Sequence, residues 1–209
     1  MTTTPAGHTR PATAAQPDRA ILLGSLGVTL ITIATGINIV TVPLLITSTL
    51  GASFGQLGIY AGLAAAMELP FMVLWGYALR RVGKHTLIVA AALLYALYMV
   101  LLSQAGSMSD IFWLQLLNGP ATAALVSIPI SYMQDATKGR VGLSTSLLDV
   151  VRVAAGLGSS AIFGALTAAG PNYRLLIVVA AGLSVAGATV VFATHRFAGR
   201  TQTASATAR

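Results

Sequence analysis

Along the chain, long apolar runs alternate with short polar breaks. The first run extends from Ala20 to about Ser48, and others from about Gly55 to Leu79, Thr86 to Leu102, Ile111 to Met133, Leu143 to Ala169 and Tyr173 to Ala193. At about 1.5 Å per residue each can cross a hydrocarbon core of roughly 30 Å as a helix. The breaks, TLGAS, RRVGKH, SQAGSMSD, QDATKGRVG and GPN, carry the Gly, Ser, Asn and charged residues of turns in water. The first run is far longer than the apolar core of a signal peptide, roughly 7 to 15 residues. The pattern predicts an all-α integral membrane protein with six transmembrane helices over residues 20–196. Residues 1–19, rich in Thr, Pro and Ala, cannot bury enough apolar surface to fold alone and are expected to form a disordered tail. Residues 197–209 are expected to form a second one.

Composition supports the same class and narrows the chemistry. Of 209 residues, 56% are hydrophobic and only 8% charged, against roughly 25% charged in soluble domains. The chain has no cysteine, which excludes disulfides, thiolate catalysis and cysteine-ligated metals. His8, His85 and His195 are scattered, and the sequence lacks an HExxH, a phosphate-cradling GxxxxGK[ST] loop or a paired nucleophile and base. An enzyme, a metal site and a bound cofactor are therefore not expected. The net charge of +7 needs placing before it means anything. With six crossings, one side receives both chain ends and the breaks after helices 2 and 4, and it holds Arg10, Arg19, Arg80, Arg81, Lys84, Lys138, Arg140, Arg196, Arg200 and Arg209. The positive-inside rule makes that side cytoplasmic, as in a multi-pass protein of the cell's inner (plasma) membrane. The basic excess reads as orientation in a lipid bilayer, not as nucleic-acid binding.

Polar residues divide the helices into two sets. Helices 3 and 6 carry few hydrogen-bonding groups and are expected to face largely lipid, as an outer pair. Helix 1 (Thr29, Thr32, Thr35, Asn38, Thr41), helix 2 (Tyr60, Glu68), helix 4 (Gln115, Asn118, Ser127, Ser131, Tyr132, Gln134) and helix 5 (Ser144, Thr145, Ser146, Asp149, Arg152) are expected to line a wet space. In helix 1 only Thr32, Thr35 and Asn38 comfortably share a face at ~100° per residue, while Thr29 and Thr41 suit bonds to their own backbone. Small-residue stripes, Gly119-Ala123-Ser127-Ser131 and Gly156-Ser160-Gly164-Ala168, read mainly as packing seams. Pro43, Pro70 and Pro129 each remove a helical hydrogen bond and predict kinks.

Three ionisable groups fall deep in the apolar runs. Asp149 and Arg152 lie roughly 9 and 14 Å in from the start of helix 5, and Glu68 falls at a similar depth. Each central Asp or Arg costs about 2.5 to 3.5 kcal/mol to insert, so such groups usually mark a pathway, a proton relay or a mutual pair. Asp149 and Arg152 suit either a solute site or an i, i+3 ion pair. Asp149 could instead clamp the basic loop Arg80, Arg81 and Lys84. Glu68 suits a proton-coupling residue, a partner of Arg152 or a neutral structural carboxyl.

The loop GYALRRVGKH, residues 76–85, resembles the signature of the major facilitator superfamily, with Gly76, Arg81, Gly83 and Lys84 in register as a conformational loop. Arg80 stands where that family usually has aspartate, which departs from an acid-mediated lock. The segments LGIYAGLAAAMELPFMVLWGY, LQLLNGPATAALVSIPISYMQD and KGRVGLSTSLLDVVRVAAGLGSS resemble the C-terminal six helices of bacterial sugar efflux transporters in this superfamily. The resemblance implies half of a major facilitator fold, two inverted three-helix repeats in which helices 1 and 4, and 2 and 5, correspond. It implies proton-coupled efflux of a sugar or related small polar solute, with Asn38, Gln115, Asn118, Asp149 and Arg152 toward the solute and Glu68 toward the proton. A homodimer or a separate N-terminal six-helix half would complete the cavity. The alternatives are a drug exporter half, a truncated non-transporting remnant or an accessory membrane protein.

Overall fold

The computed structural model describes residues 19–137, 141–168 and 170–207. Six helices follow the apolar runs: α1 (Arg19–Leu44), α2 (Phe54–Ala78), α3 (Lys84–Gln104), α4 (Met108–Ala136), α5 (Val141–Thr167) and α6 (Tyr173–Thr207). All six contain stretches long and apolar enough to span a membrane. The expected tail at residues 1–18 and the basic break residues Lys138 and Arg140 lie outside the described residues. At the other end α6 runs on to Thr207, through most of the segment expected as a tail. A helix already nucleated in the membrane extends through Ala, Gln and Thr at little further cost.

Local chemistry sets where the helices begin and stop. Ser53 and Ser107 open α2 and α4 with capping boxes closed by Gln56 and Asp110, which satisfy donors that no helical carbonyl reaches. Pro43 lacks an N–H and frees a carbonyl one turn back. The chain responds with a wide π-helical turn over Leu45–Thr49, in which the Leu50 N–H donates to the Leu45 carbonyl at 3.0 Å. Gly51, at φ +63°, then reverses the chain in a region that favours glycine. At the same end Arg174 donates to the carbonyls of Ser103 and Ala105 at 2.6 and 2.8 Å, closing the last turn of α3.

The packing order repeats itself. α2 packs on α4 and α5 on α1; α3 packs on α4 and α6 on α1; α3 and α6 pack on each other. Exchanging α1 with α4, α2 with α5 and α3 with α6 leaves this pattern unchanged, as two inverted three-helix repeats require. α1 and α4 touch little and leave a space between them.

Burial corrects the expected division of the helices. α3, expected to face largely lipid, buries Ala91, Ala92, Tyr95, Tyr98, Met99 and Leu102 and exposes Leu93, Leu97 and Val100 on its other side. α3 and α6 form the back layer, with one face in lipid and one in the core. The most open helices are instead α2, with no buried residue, and α5, with only Ser144, Val151 and Ala155 buried. The reason lies in the repeat: α2 rests mainly on α4 and α5 mainly on α1, and each presents the rest of its surface outward.

The tightest approach is between α1 and α6. A Cβ on Gly187 would stand 2.6 Å from Ile31 Cγ1 and 2.7 Å from the Gly27 carbonyl oxygen. α1 meets α5 through Gly36, held near Ser159, and through Gly158, held near Ile33. α4 meets α2 where Gly119 lies against Met67. The second small-residue stripe behaves differently: Cβ atoms added at Gly156 and Gly164 would meet nothing within 4 Å.

Candidate functional site

A cleft of about 470 Å³ opens between α1, α2, α4 and α5, with Tyr95 of α3 at its back. Its volume is in the range of small-molecule sites, roughly 300 to 1,000 Å³. Thr32, Thr35, Asn38, Tyr60, Glu68, Asn118, Thr122 and Arg152 supply polar groups among apolar walls that include Val28, Ile31, Leu125 and Val151. The helices with clustered polar residues therefore do converge, and a helix read as plain lipid-facing joins them.

The sequence-selected residues take different places. Asn38, Asn118, Glu68 and Arg152 line the cleft. Gln115 sits behind it, fully buried, and accepts a 2.8 Å hydrogen bond from the Asn118 amide. Thr122 in turn donates to Asn118 Oδ1 at 3.0 Å. Asp149 is not in the cleft wall; it pairs with Arg152 at 3.7 Å along α5, both side chains more than 60% exposed. The structure thus shows the intrahelical ion pair, and Asp149 makes no bridge to the basic loop. Glu68 is left as a partly buried carboxyl with no ion pair among the described residues. It lies ten residues before Ala78, the end of α2, hence about 15 Å deep. Arg152, eleven residues into α5, lies at about the same depth from the same end.

Helix 1 departs from its expected pattern in one respect. Thr29, Thr32 and Thr35 donate to carbonyls one turn back, at 2.8 to 2.9 Å. Thr41, expected to do the same, is fully buried with its hydroxyl unpartnered among the described residues. Asn38 Oδ1, Tyr98 Oη and Gln115 Nε2 likewise make no well-formed hydrogen bond among the described residues, but Tyr98 faces Asn38 and Tyr60, and Tyr60 faces Gln115, so these side chains answer one another at longer range. Sequence reading missed Tyr95 and Tyr98. The available signal was two tyrosines three residues apart in mid-helix, since tyrosine prefers the membrane interface unless its hydroxyl has a polar neighbour.

The loop between α2 and α3 is anchored by one residue. Lys84 reaches Asp135 at 2.6 Å and the Ser131 carbonyl at 3.0 Å, tying the start of α3 to the last turns of α4. A cation there also suits the negative end of α4. Next to it His85 meets Tyr132 edge to face at 4.9 Å, and Arg80 lies 5.6 Å over the Tyr77 ring. Arg81, Gly76 and Gly83 are exposed. Because the Asp135 side chain is 67% exposed, Lys84→Met is expected to lower stability by less than about 1 kcal/mol in reversible detergent unfolding.

No family model matches the chain. It is 29% identical over 169 residues to a Deinococcus radiodurans protein provisionally named a sugar efflux transporter, covering 80% of this chain and 43% of that one. It is 34% identical over 109 residues to sugar efflux transporter A of Escherichia coli, covering 52% of this chain and 28% of the relative. Sugar efflux transporter C of Escherichia coli is 28% identical over 114 residues, 54% of this chain and 29% of its own length. The chain thus spans less than half the length of these curated relatives. With six membrane-spanning helices in two inverted repeats, it resembles the bacterial sugar efflux transporters and has the form of half of a major facilitator fold.

Proposed function

We propose that the chain supplies one wall of a secondary transporter that exports a sugar or related neutral polar solute across the cell's inner membrane, with proton uptake on the return. The observation that carries this reading is the cleft itself: amides, hydroxyls and one carboxyl without an ion pair among the described residues, gathered at mid-membrane depth between α1, α2, α4 and α5. The names of the relatives supply the solute class. The concentration of basic residues on the side of the chain ends supports cytoplasmic termini.

A charge count supports the proton. In the membrane-embedded parts of α2 and α5 stand Glu68, Asp149 and Arg152. Asp149 and Arg152 compensate each other, so Glu68 leaves one net negative charge that a single proton cancels. Moving the loaded cleft through the membrane is then cheapest with Glu68 protonated.

The open face asks for a cover. Charged Asp149 and Arg152 cannot face hydrocarbon cheaply, and the small residues around Gly58, Gly62, Gly156 and Gly164 leave both α2 and α5 free for close packing. A second six-helix bundle, either another copy of this chain or a separate half, fits that face. Proton-gradient-driven flux of labelled lactose and simple glucosides into proteoliposomes containing this chain alone tests the reading. Gradient-dependent flux is expected if copies complete one another; its absence from a folded preparation, with and without a co-expressed six-helix partner, would refute a transport role.

A further inference from the structure

The cleft is a trough open along one side. α1 and α4 form its floor, backed by α6 and α3, and α2 and α5 form its rims, α2 resting mainly on α4 and α5 mainly on α1. Each rim carries an ionisable group toward the opening. Glu68 lines the cleft from α2 and Arg152 from α5, ten residues before Ala78 and eleven after Val141, so both lie roughly 15 Å in from the same side of the membrane. The rims around them are lean: Ala61 and Ala65 on α2 and Gly156 and Ser160 on α5 are exposed, and a Cβ at Gly156 would meet nothing within 4 Å.

Neither charge is fully answered within the chain. Glu68 has no ion pair among the described residues. Arg152 stands 3.7 Å from Asp149, with both side chains more than 60% exposed, a separation too long for a hydrogen bond. The guanidinium's planar fork of N–H donors therefore has room for a second carboxylate. Within one copy Glu68 and Arg152 sit on opposite rims of the trough. A second copy brings them together by symmetry. The distribution of basic residues favours one orientation in the membrane, so two copies pair in parallel, about a two-fold axis along the membrane normal. Such a rotation keeps every residue at its own depth, and with the two troughs facing it sets α2 of each copy against α5 of the other. Glu68 then meets the partner's Arg152 at its own level, once on each rim.

We propose that the bundle covering the open face is a second copy of this chain, joined by two symmetry-related bridges from Glu68 to the partner's Arg152. The inference rests on the second bundle proposed above and chooses between its two sources. Each Arg152 stands between its own Asp149 and the carboxyl of the other copy, so charges that would be costly against hydrocarbon are answered in the seam. A bundle without a cation at this depth on the facing helix would leave Glu68 unanswered, which gives the pairing its selectivity. The carboxyl assigned to the proton is thereby completed by a residue of the other copy.

The test measures energy transfer between donor-labelled and acceptor-labelled copies of the full chain in lipid vesicles. Glu68→Lys and Arg152→Glu are each expected to weaken self-association by at least about tenfold, because each variant opposes like charges on both rims. Mixed one to one, the two variants are expected to associate within about threefold of wild type, because each rim again opposes a cation to a carboxylate. Should a charge variant fold poorly, single cysteines in the otherwise cysteine-free chain give the same answer. Ala65→Cys in one copy and Gly156→Cys in the other, roughly 20 and 22 Å deep, are expected to cross-link on oxidation, while neither variant cross-links with itself. A mixture no tighter than its components, or self-cross-linking of Ala65→Cys as ready as the mixed reaction, overturns the two-fold pairing. If copies do not associate but flux returns with a co-expressed six-helix partner, the pairing is overturned and the transport reading stands. If copies pair as expected and carry no flux, with or without such a partner, the pairing stands and the transport reading falls.

Discussion

Glu68→Gln is expected to lose proton-driven solute flux by at least about tenfold while leaving downhill exchange of the same solute within about twofold of wild type. The substitution keeps the volume and hydrogen-bonding reach of the side chain and removes only its ability to carry a proton. Glu68 lines the cleft about 15 Å from the end of α2, and it is the membrane-embedded carboxyl without an ion pair among the described residues. Asp149 is already compensated by Arg152, so Asp149→Asn should change coupling far less. Parallel measurement of gradient-driven uptake and equilibrium exchange in one vesicle preparation separates the two. Equal loss in both assays would make Glu68 a structural or solute-contacting group; no loss in either would remove it from the mechanism.

The second large effect concerns assembly of the bundle. Gly187→Ala is expected to destabilise the chain by about 1–3 kcal/mol, because its Cβ would lie 2.7 Å from the Gly27 carbonyl oxygen and 2.6 Å from Ile31. Neither neighbour can yield easily, since one is backbone and the other is buried in the α1–α6 seam. Inside a bilayer, apolar burial gives helices little drive to associate, and close packing carries the stability. Gly164→Ala is the matched control: the added methyl meets nothing within 4 Å, and a change within about 0.5 kcal/mol is expected. Reversible unfolding in mixed detergent micelles reads both. Similar losses in the two variants would mean that helix propensity or insertion, not the seam, dominates.

Much of the architecture was legible because membrane helices announce themselves by length and hydropathy. Each apolar run became a helix, with starts shifted by a few residues where Ser53, Gly83 and Ser107 supply helix starts, while α6 runs on well past its apolar run to Thr207. Asn38, Asn118, Glu68 and Arg152 lie on the cleft for the reason that made them noticeable: polar groups in hydrocarbon turn toward each other and away from lipid. Depth along a helix was readable at 1.5 Å per residue, but azimuth was not. Asp149 therefore lies outside the cleft wall although Arg152, three residues on, lines it. Nor could composition rank the glycines. Gly27 and Gly187 form a seam while Gly156 and Gly164 touch nothing, because contact depends on which helix stands opposite. Tyr95 and Tyr98 were hidden in a run otherwise suited to lipid, and only the packing of α3 against α4 and α6 shows that their face points inward.

The absence of cysteine makes the chain its own background for labelling. Single cysteines at Ala64, on the cleft wall, and at Leu97, on the outer face of α3, place a thiol in each of the two environments that the fold distinguishes. A maleimide reacts with thiolate, which needs water to form. In native membranes, Ala64→Cys is expected to react with a water-soluble maleimide within about tenfold of the rate of a loop cysteine, and to be slowed by bound saccharide, while Leu97→Cys stays silent. Equal reactivity at the two positions, or silence at Ala64 with Leu97 labelled, would contradict a water-filled solute cleft between α1, α2, α4 and α5.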